Sequence, residues 1–360
     1  MMKRFYLIAF CCFNFGLLQG QFTQIPDPAF EQFLINEGYD DVMDGQVLTG
    51  NINGIIQFEI VDPVPNITDL TGIEDFDSLE YLAIGLTGLV SLNLSANNNL
   101  VDLVCALNPQ LEHINFNGAD NLINAYIFNN NLLSLDVSSN QQLTTLEAYQ
   151  NQISIINLGV NHNLNDLVLN ENLIIDIDVT GLVNLIGLGC NDNLLTELDL
   201  TQNTSLENLF IDSNQLTSLD IRNGNNSLIT DFIATNNPDL QCILVDDAAY
   251  STANWPDIDA TTTFVETEAA CDALSLNDVV LKRDIKVFPN PATSFFILAS
   301  PYHTIQNVVL YDLQGKQVKT FEQEEVYTPR FDVSELASGV YFITMEVEGR
   351  RVVKKLVVKR

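Results

Sequence analysis

Four aspartates, Asp136, Asp178, Asp199 and Asp220, fall on a 21-residue grid, the last three at consecutive steps. Carboxylate oxygens are hard ligands of the kind Ca2+ takes. If each step is one coil of stacked strands, about 4.8 Å apart, Asp178, Asp199 and Asp220 repel one another unless hydrogen-bonded or bridged by a cation. Structural hydrogen bonding is the plainer reading and Ca2+ bridging the sharper one, so these three are weak calcium candidates. The histidines, His113, His162 and His303, have neither the i, i+4 nor the His-x-x-His spacing of a metal site. The sequence also holds no Gly-Lys-Ser/Thr phosphate loop and no Gly-x-Ser-x-Gly elbow. Catalysis would need groups meeting across distant coils. The chain therefore reads as a non-enzyme with no cofactor.

The grid belongs to a repeat. Leu143-Thr-Thr-Leu146-Glu-Ala148-Tyr-Gln-Asn151-Gln-Ile153 is apolar at its first, fourth, sixth and eleventh places and has Asn at the ninth. Similar stretches start at 89, 100, 111, 122, 132, 143, 153, 164, 174, 185, 195, 206, 216 and 228. From 111 the spacing mostly alternates between 11 and 10, so the period is 21 residues made of two half-repeats. A fixed period of this length marks a solenoid whose coils stack on their neighbours. The period-2 section of each half-repeat suits a short strand with its fourth and sixth places inward. Eleven ninth places carry Asn, namely Asn97, Asn108, Asn130, Asn140, Asn151, Asn161, Asn172, Asn193, Asn203, Asn214 and Asn236, with Ala119, Leu182 and Gly224 as exceptions. A carboxamide there bonds backbone groups where the chain turns. Cys105 and Cys190 occupy sixth places, where other coils carry Ala148, Leu169 or Ile211. They read as small buried hydrophobes.

Leu-x-x-Leu-x-Leu-x-x-Asn-x-Leu resembles the leucine-rich repeat family, and the nested 21-residue form is similar to an irregular bacterial subtype with the motif twice per coil. The resemblance covers about residues 79–245. It implies an arc with a parallel sheet on its concave side; a ten-residue half-repeat leaves little room for a helix on the other side.

The two half-repeats differ in their outward residues. In the halves starting at 89, 111, 132, 153, 174, 195 and 216, the fifth place is Asn or Asp and the seventh mainly Ser, Thr, Gly or Asn. In the others these places read Val104/Ala106, Tyr126/Phe128, Glu147/Tyr149, Val168/Asn170, Gly189/Asn191, Phe210/Asp212 and Phe232/Ala234. Exposed apolar surface tends to mark an interaction site. Tyr126, Phe128, Tyr149, Phe210 and Phe232 are therefore candidate ligand contacts on the concave face, with Glu147, Asn170 and Asp212 tuning polarity. The expected partner is a protein or a glycan. The competing reading is that the aromatics pack on one another with no partner.

Charge bounds the partners further. Residues 21–281 hold Arg222 as their only Lys or Arg against 38 acids, a net charge of about −37, while twelve of the 15 basic residues follow position 281. So acidic a body repels phosphate backbones, which excludes nucleic acid. Such charge also serves solubility and hydration, which keeps open a structural surface or matrix protein with no defined ligand.

Residues 1–20 read as a secretory signal: Lys3 and Arg4, the apolar run Phe5 to Leu18, then Gly20 before a cut near Gln21. Phe10 before Cys11 argues against a lipoprotein site, so Cys11 and Cys12 leave with the signal. No later stretch has the ~20 apolar residues of a transmembrane segment. Residues 21–78 are expected to form an N-terminal cap with one helix, capped by Asp27 and stopped at Gly38, ahead of a solenoid over 79–241. Residues 242–273, with the only Trp, form a C-terminal cap similar to the closing segment of secreted bacterial leucine-rich repeat proteins. Cys242 and Cys271 remain outside the signal and the repeat core, and in an exported chain a disulfide between them is expected, worth about 3 kcal/mol.

After a linker at 274–284 the composition turns mixed. Strands are expected near 294–299, 307–311, 340–347 and 352–358, with turns at Gln314-Gly315 and Glu348-Gly349, in a small antiparallel sandwich. Three motifs appear in order: Val287-Phe288-Pro289-Asn290-Pro291-Ala292, Leu310-Tyr311-Asp312-Leu313-Gln314-Gly315-Lys316 and Leu336-Ala337-Ser338-Gly339-Val340-Tyr341-Phe342, before a basic end at Lys354–Arg360. Residues 285–360 thus resemble the C-terminal sorting domain of type IX secretion. The resemblance implies export across both membranes of a Gram-negative bacterium, the secretion machinery as partner, and a secreted or outer-membrane surface location. The fold class expected is mainly β: a leucine-rich repeat solenoid of parallel strands with little helix, then a small antiparallel β-sandwich.

Overall fold

Leucine at the first and fourth places of each half-repeat has one way out of water, which is toward the axis of the coil. Leu143, Leu146, Ala148 and Ile153 are all buried, as are most of their counterparts along the repeats, with Ile114 and Ile156 half-buried, each buried large aliphatic contributing about 2 kcal/mol. The computed structural model describes residues 20–64, 66–275, 285–300, 305–321, 330–347 and 350–360. Most of the expected signal and linker, His303 and the turn at Glu348-Gly349 lie outside these residues. Two compact units are present, Met1–Gln215 with Ser227–Asn237, and Leu216–Asn226 with Pro238–Arg360.

In the first unit the second half-repeats build a nine-stranded sheet. Its strands are Gln57–Ile60, Tyr81–Gly85, Asp102–Ala106, Asn124–Tyr126, Thr145–Glu147, Asp166–Val168, Gly187–Gly189, Asn208–Phe210 and Asp231–Ile233. They lie in chain order and every neighbouring pair is parallel. The register places Leu103, Ala125, Leu146, Leu167, Leu188, Leu209 and Phe232 in one inward column. Among the first half-repeats, Ser91–Asn93 pairs with His113–Asn115 and Ser134–Asp136 with Ile155–Asn157 in short patches. The half starting at 174 forms no strand.

Asparagine joins the coils. Asn172 Nδ2 donates to Ala148 O of the preceding coil at 2.9 Å and to Leu169 O of its own at 3.0 Å, while its Oδ1 accepts from Ile153 N at 3.0 Å. Asn151, Asn193 and Asn214 repeat this pattern. On the other side Asn140 and Asn161 donate to Phe116 O and Val137 O, but their Oδ1 atoms are buried without a partner. One expected ladder residue is displaced. Asn237, fully buried and donating to Ile211 O and Ala234 O, takes the place assigned to Asn236. A 3-10 turn at Asn226–Leu228 absorbs extra residues, so this half-repeat begins at the buried Ile229, and Leu228 is exposed.

Each coil turns its corner on one residue in the left-handed region: Leu86, Leu107, Asn129, Gln150, Glu171, Asp192, Ser213 and Asn236, with φ between 55° and 61°. None is glycine, at a cost of about 1 kcal/mol each. The backbone N–H groups of Asn129, Gln150, Glu171, Asp192 and Ser213 donate to carbonyls of the next coil.

Ahead of the repeats, Asp27 caps helix Pro28–Asn36 as expected, its Oδ1 accepting from Ala29 N and Phe30 N. Its Oδ2 also holds Thr68 N and Asp69 N, tying the helix to the following segment. A second helix, Thr49–Ile52, joins the one expected. A single turn of four residues has no periodicity for a sequence reading to detect.

In the second unit Ser218–Asp220, Cys242–Leu244 and Thr263–Val265 run parallel. Trp255 is buried, and Cys242 is disulfide-bonded to Cys271 of helix Glu268–Ser275. Residues 285–360 form a three-stranded antiparallel sheet, Lys286–Phe288, Phe295–Ala299 and Arg330–Asp332. A four-stranded antiparallel sheet of Gln317–Phe321, Ile305–Tyr311, Gly339–Val347 and Arg350–Val358 shares its core. Among the described residues no helix is long and apolar enough to cross a membrane.

Candidate binding face

Outward residues of the nine-stranded sheet lie at the third, fifth and seventh places of each half-repeat, since strand side chains alternate. The fifth-place row runs Val104, Tyr126, Glu147, Val168, Gly189, Phe210, Ile233. Tyr126, Phe128 and Tyr149 come together: the rings of Phe128 and Tyr149 stack with centroids 4.6 Å apart and planes 5° from parallel. All three are half-buried. Phe210 lies three strands beyond Glu147, about 14 Å away.

Phe232 is not on this face. It is 4% exposed and pairs in register with core Leu209, whereas Ile233 takes the outward place beside Phe210. The insertion at Asn226–Leu228 is the cause, because a one-residue shift along a strand exchanges its two faces.

The gap between the aromatic groups is polar and acidic. Gly187 and Gly189 leave room for their neighbours to lean over them: a Cβ at Gly187 would meet Asp166 Oδ1 at 2.9 Å and one at Gly189 would meet Asn170 Oδ1 at 2.8 Å. Asn170 Oδ1 is buried with no hydrogen-bond partner. Burial, with the charge of Asp166, raises the Glu147 pKa; burial, with Asp192, outweighs the hydrogen bonds to Asp212 and raises it too. The third-place residue Asp166 and the corner residue Asp192 belong to this face but escape a reading confined to the fifth and seventh places. The period-2 rule extended by one position finds Asp166.

The aspartate column on the opposite side does a different job. Asp136, Asp178, Asp199 and Asp220 each accept, through Oδ1, the backbone N–H two residues on. Hydroxyls of Ser138 and Thr180 add to this and hold Asp136 and Asp178 below the usual carboxylate range. Asp220 is also paired with Arg222, which reaches Glu268 at 3.1 Å. These bonds close the local turn that follows each aspartate. His113 sits in the strand His113–Asn115, and His162 Nδ1 contacts Gly181 O at 2.9 Å. Cys105 and Cys190 are buried, which pushes both thiols up to about 12.

In the tail, each motif has a mechanical role. Asn290 behaves as an extra strand residue on the last strand, its Nδ2 donating to Lys355 O and its Oδ1 accepting from Val357 N, both at 2.9 Å. Asp312 Oδ1 gathers Gln314 N and Lys316 N into a turn. Tyr341 OH donates to Ala337 O at 2.9 Å. Residues 286–359 match the family model of the secretion system C-terminal sorting domain. The sorting domain marks the chain for export, to the cell surface or beyond. Its terminal strand, Arg350–Val358, pairs with Gly339–Val347 along its whole length.

The repeats are leucine-rich repeats in sequence and in coil geometry. Among solved structures, a leucine-rich repeat protein of Leptospira interrogans is similar at 18% identity, over 60% of this chain and 61% of that one, with a TM-score of 0.43. The chain thus spans 61% of the length of that protein. The Listeria monocytogenes protein InlP is similar at 15% identity over 93% and 99%, with a TM-score of 0.41. An internalin of Listeria monocytogenes matches at 16% over 68% and 92%, with a TM-score of 0.31. No curated protein matches the chain by sequence.

Proposed function

We propose that this is a non-enzymatic adhesion or recognition protein whose nine-stranded sheet binds a protein or glycan outside a Gram-negative cell. The Phe128–Tyr149 stack with Tyr126 beside it carries this reading, because three half-buried rings cluster on the outward face of the sheet. Mutual packing lowers the cost of exposing the rings but leaves their outer surfaces open to a partner. In a pull-down from the surface fraction of a contacting cell, Tyr126→Ala with Tyr149→Ala should abolish retention of whatever the parent chain holds. Unchanged retention would place binding elsewhere.

Export is proposed to run through the type IX system, with residues 1–20 crossing the inner membrane and 285–360 the outer. Deleting 285–360 should strand the protein in the periplasm, and normal export would refute the assignment. A second reading, a hydrated matrix protein without a defined ligand, draws support from the charge of residues 21–281. Sedimentation with and without CaCl2 separates the two, since cation-dependent self-association is expected only for the matrix protein.

A further inference from the structure

The sheet face is divided along its length. Toward its first strands its apolar groups cluster: Val104, Ala106 and the Tyr126, Phe128 and Tyr149 rings continue over the corner onto Leu86 and Leu107, while Glu59 and Asp102 lie at the margin beside Tyr81. Those two leucines are 39% and 50% exposed in left-handed backbone, where the six later coils use Asn129, Gln150, Glu171, Asp192, Ser213 and Asn236. With Pro63 and Pro109 they line an open cavity of about 410 Å3. Toward its later strands the face is acidic, with Glu147, Asp166, Asp192, Asp212 and Asp231. None of these strands carries Lys or Arg, and Arg222, the only such residue between 21 and 281, lies on the opposite half-repeat. Burial raises the pKa of Glu147 and of Asp212, and the nearby charges of Asp166 and Asp192 add to it.

An acidic stretch with carboxylates on neighbouring strands, next to aromatic rings and an aliphatic cavity, complements one kind of polypeptide. We infer that the sheet receives a cationic amphipathic segment of a partner protein. Its Lys or Arg side chains lie between Glu147/Asp166 and Asp192/Asp212, and an aliphatic residue fills the cavity beside Leu86 and Leu107. Opposed charges speed encounter and fix orientation, and Lys or Arg also finds the faces of Tyr149 and Phe210. A neutral glycan would use the rings but leave the carboxylate pairs without counter-charge. This inference rests on the binding-face reading above and narrows it.

The probe is a short fluorescein-labelled peptide of repeated Lys-Leu-Ser, titrated with the full chain and read by anisotropy. A Glu-Leu-Ser peptide serves as the counter-probe. The Lys-Leu-Ser peptide should bind, and its affinity should fall at least about tenfold between roughly 20 and 200 mM NaCl. Glu147→Gln/Asp166→Asn/Asp212→Asn should weaken binding about tenfold or more. Asp136→Asn/Asp178→Asn/Asp199→Asn, the same change in net charge on the opposite side, should stay within about twofold. Equal weakening by the two triples, or equal binding of the Glu-Leu-Ser peptide, overturns the inference. So does failure of the Lys-Leu-Ser peptide to bind while a captured glycan or acidic protein is lost in the Tyr126→Ala/Tyr149→Ala chain; the binding face then stands and its cationic partner falls. If that double variant retains every captured partner, the face itself falls.

Discussion

The two sides of one coil are built from nearly the same eleven residues, yet one side forms a continuous nine-stranded sheet and the other only short, separate sheets. The amide ladders explain much of the difference. On the sheet side the carboxamide of Asn172 bonds in both directions, donating backward and accepting from Ile153 N. On the other side Asn140 and Asn161 donate but their oxygens find nothing. A buried acceptor without a partner forfeits about 1 kcal/mol or more. The weaker side is instead closed turn by turn, by aspartates that accept the local N–H two residues on. Long-range bonding yields a platform, and local bonding yields a frame that holds it.

The sharpest way to break this comparison is at Phe232 and Phe210, one residue type on opposite faces of neighbouring strands. Phe232→Ala should cost about 3–5 kcal/mol by urea denaturation. Phe210→Ala should cost under about 1.5 kcal/mol; similar values would mean that Phe232 faces solvent after all. Next come the ladders. Asn172→Ala orphans Ile153 N and removes one of two bonds to each of Ala148 O and Leu169 O, which keep Asn151 and Asn193 as donors. It should cost about 2–3 kcal/mol, against about 1 kcal/mol for Asn161→Ala, which leaves Val137 O its bond from Asn140 N. Hydrogen exchange at Ile153 N should quicken only in Asn172→Ala.

The smallest effect is in pH. Glu147 has a raised pKa in the fold, so its contribution is most favourable below its unfolded value and is lost as pH rises through the folded one. Asp136, depressed mainly by Ser138, behaves oppositely: its contribution is present above the unfolded value and lost as pH falls through the folded one. At pH 7 Glu147→Gln should therefore stabilise and Asp136→Asn destabilise, each by roughly a few tenths of a kcal/mol because solvent screens both groups. Both differences should vanish in acid, and effects of the same sign at pH 7 would contradict the contrast between the two sides.

Much of this architecture was legible in the order of residues. The spacing of leucines placed the inward column, Asp27 announced its helix, Cys242 and Cys271 their bond, and four tail segments their strands. What escaped was local arithmetic. Between Leu216 and Ile229 the chain takes thirteen residues where its rhythm asks for eleven, and periodicity alone cannot say on which side of the 3-10 turn the surplus lies. That ambiguity moved Phe232 from core to candidate ligand contact and Asn237 to Asn236. The acidic half of the face escaped for another reason. Its character comes from residues far apart in sequence, such as Glu147 and Asp166, whose carboxylates meet only once neighbouring strands align.

The left-handed corner residue, recurring once per coil from Leu86 to Asn236, makes length a quantised property of this molecule. Deleting or duplicating a full 21-residue unit returns every corner, amide and inward leucine to an equivalent neighbour. A lone insertion within a strand instead turns an oily column outward and starts misassembly. The platform thus has one axis along which it can be lengthened, and whole coils can be spliced in as spacers between its aromatic and acidic parts.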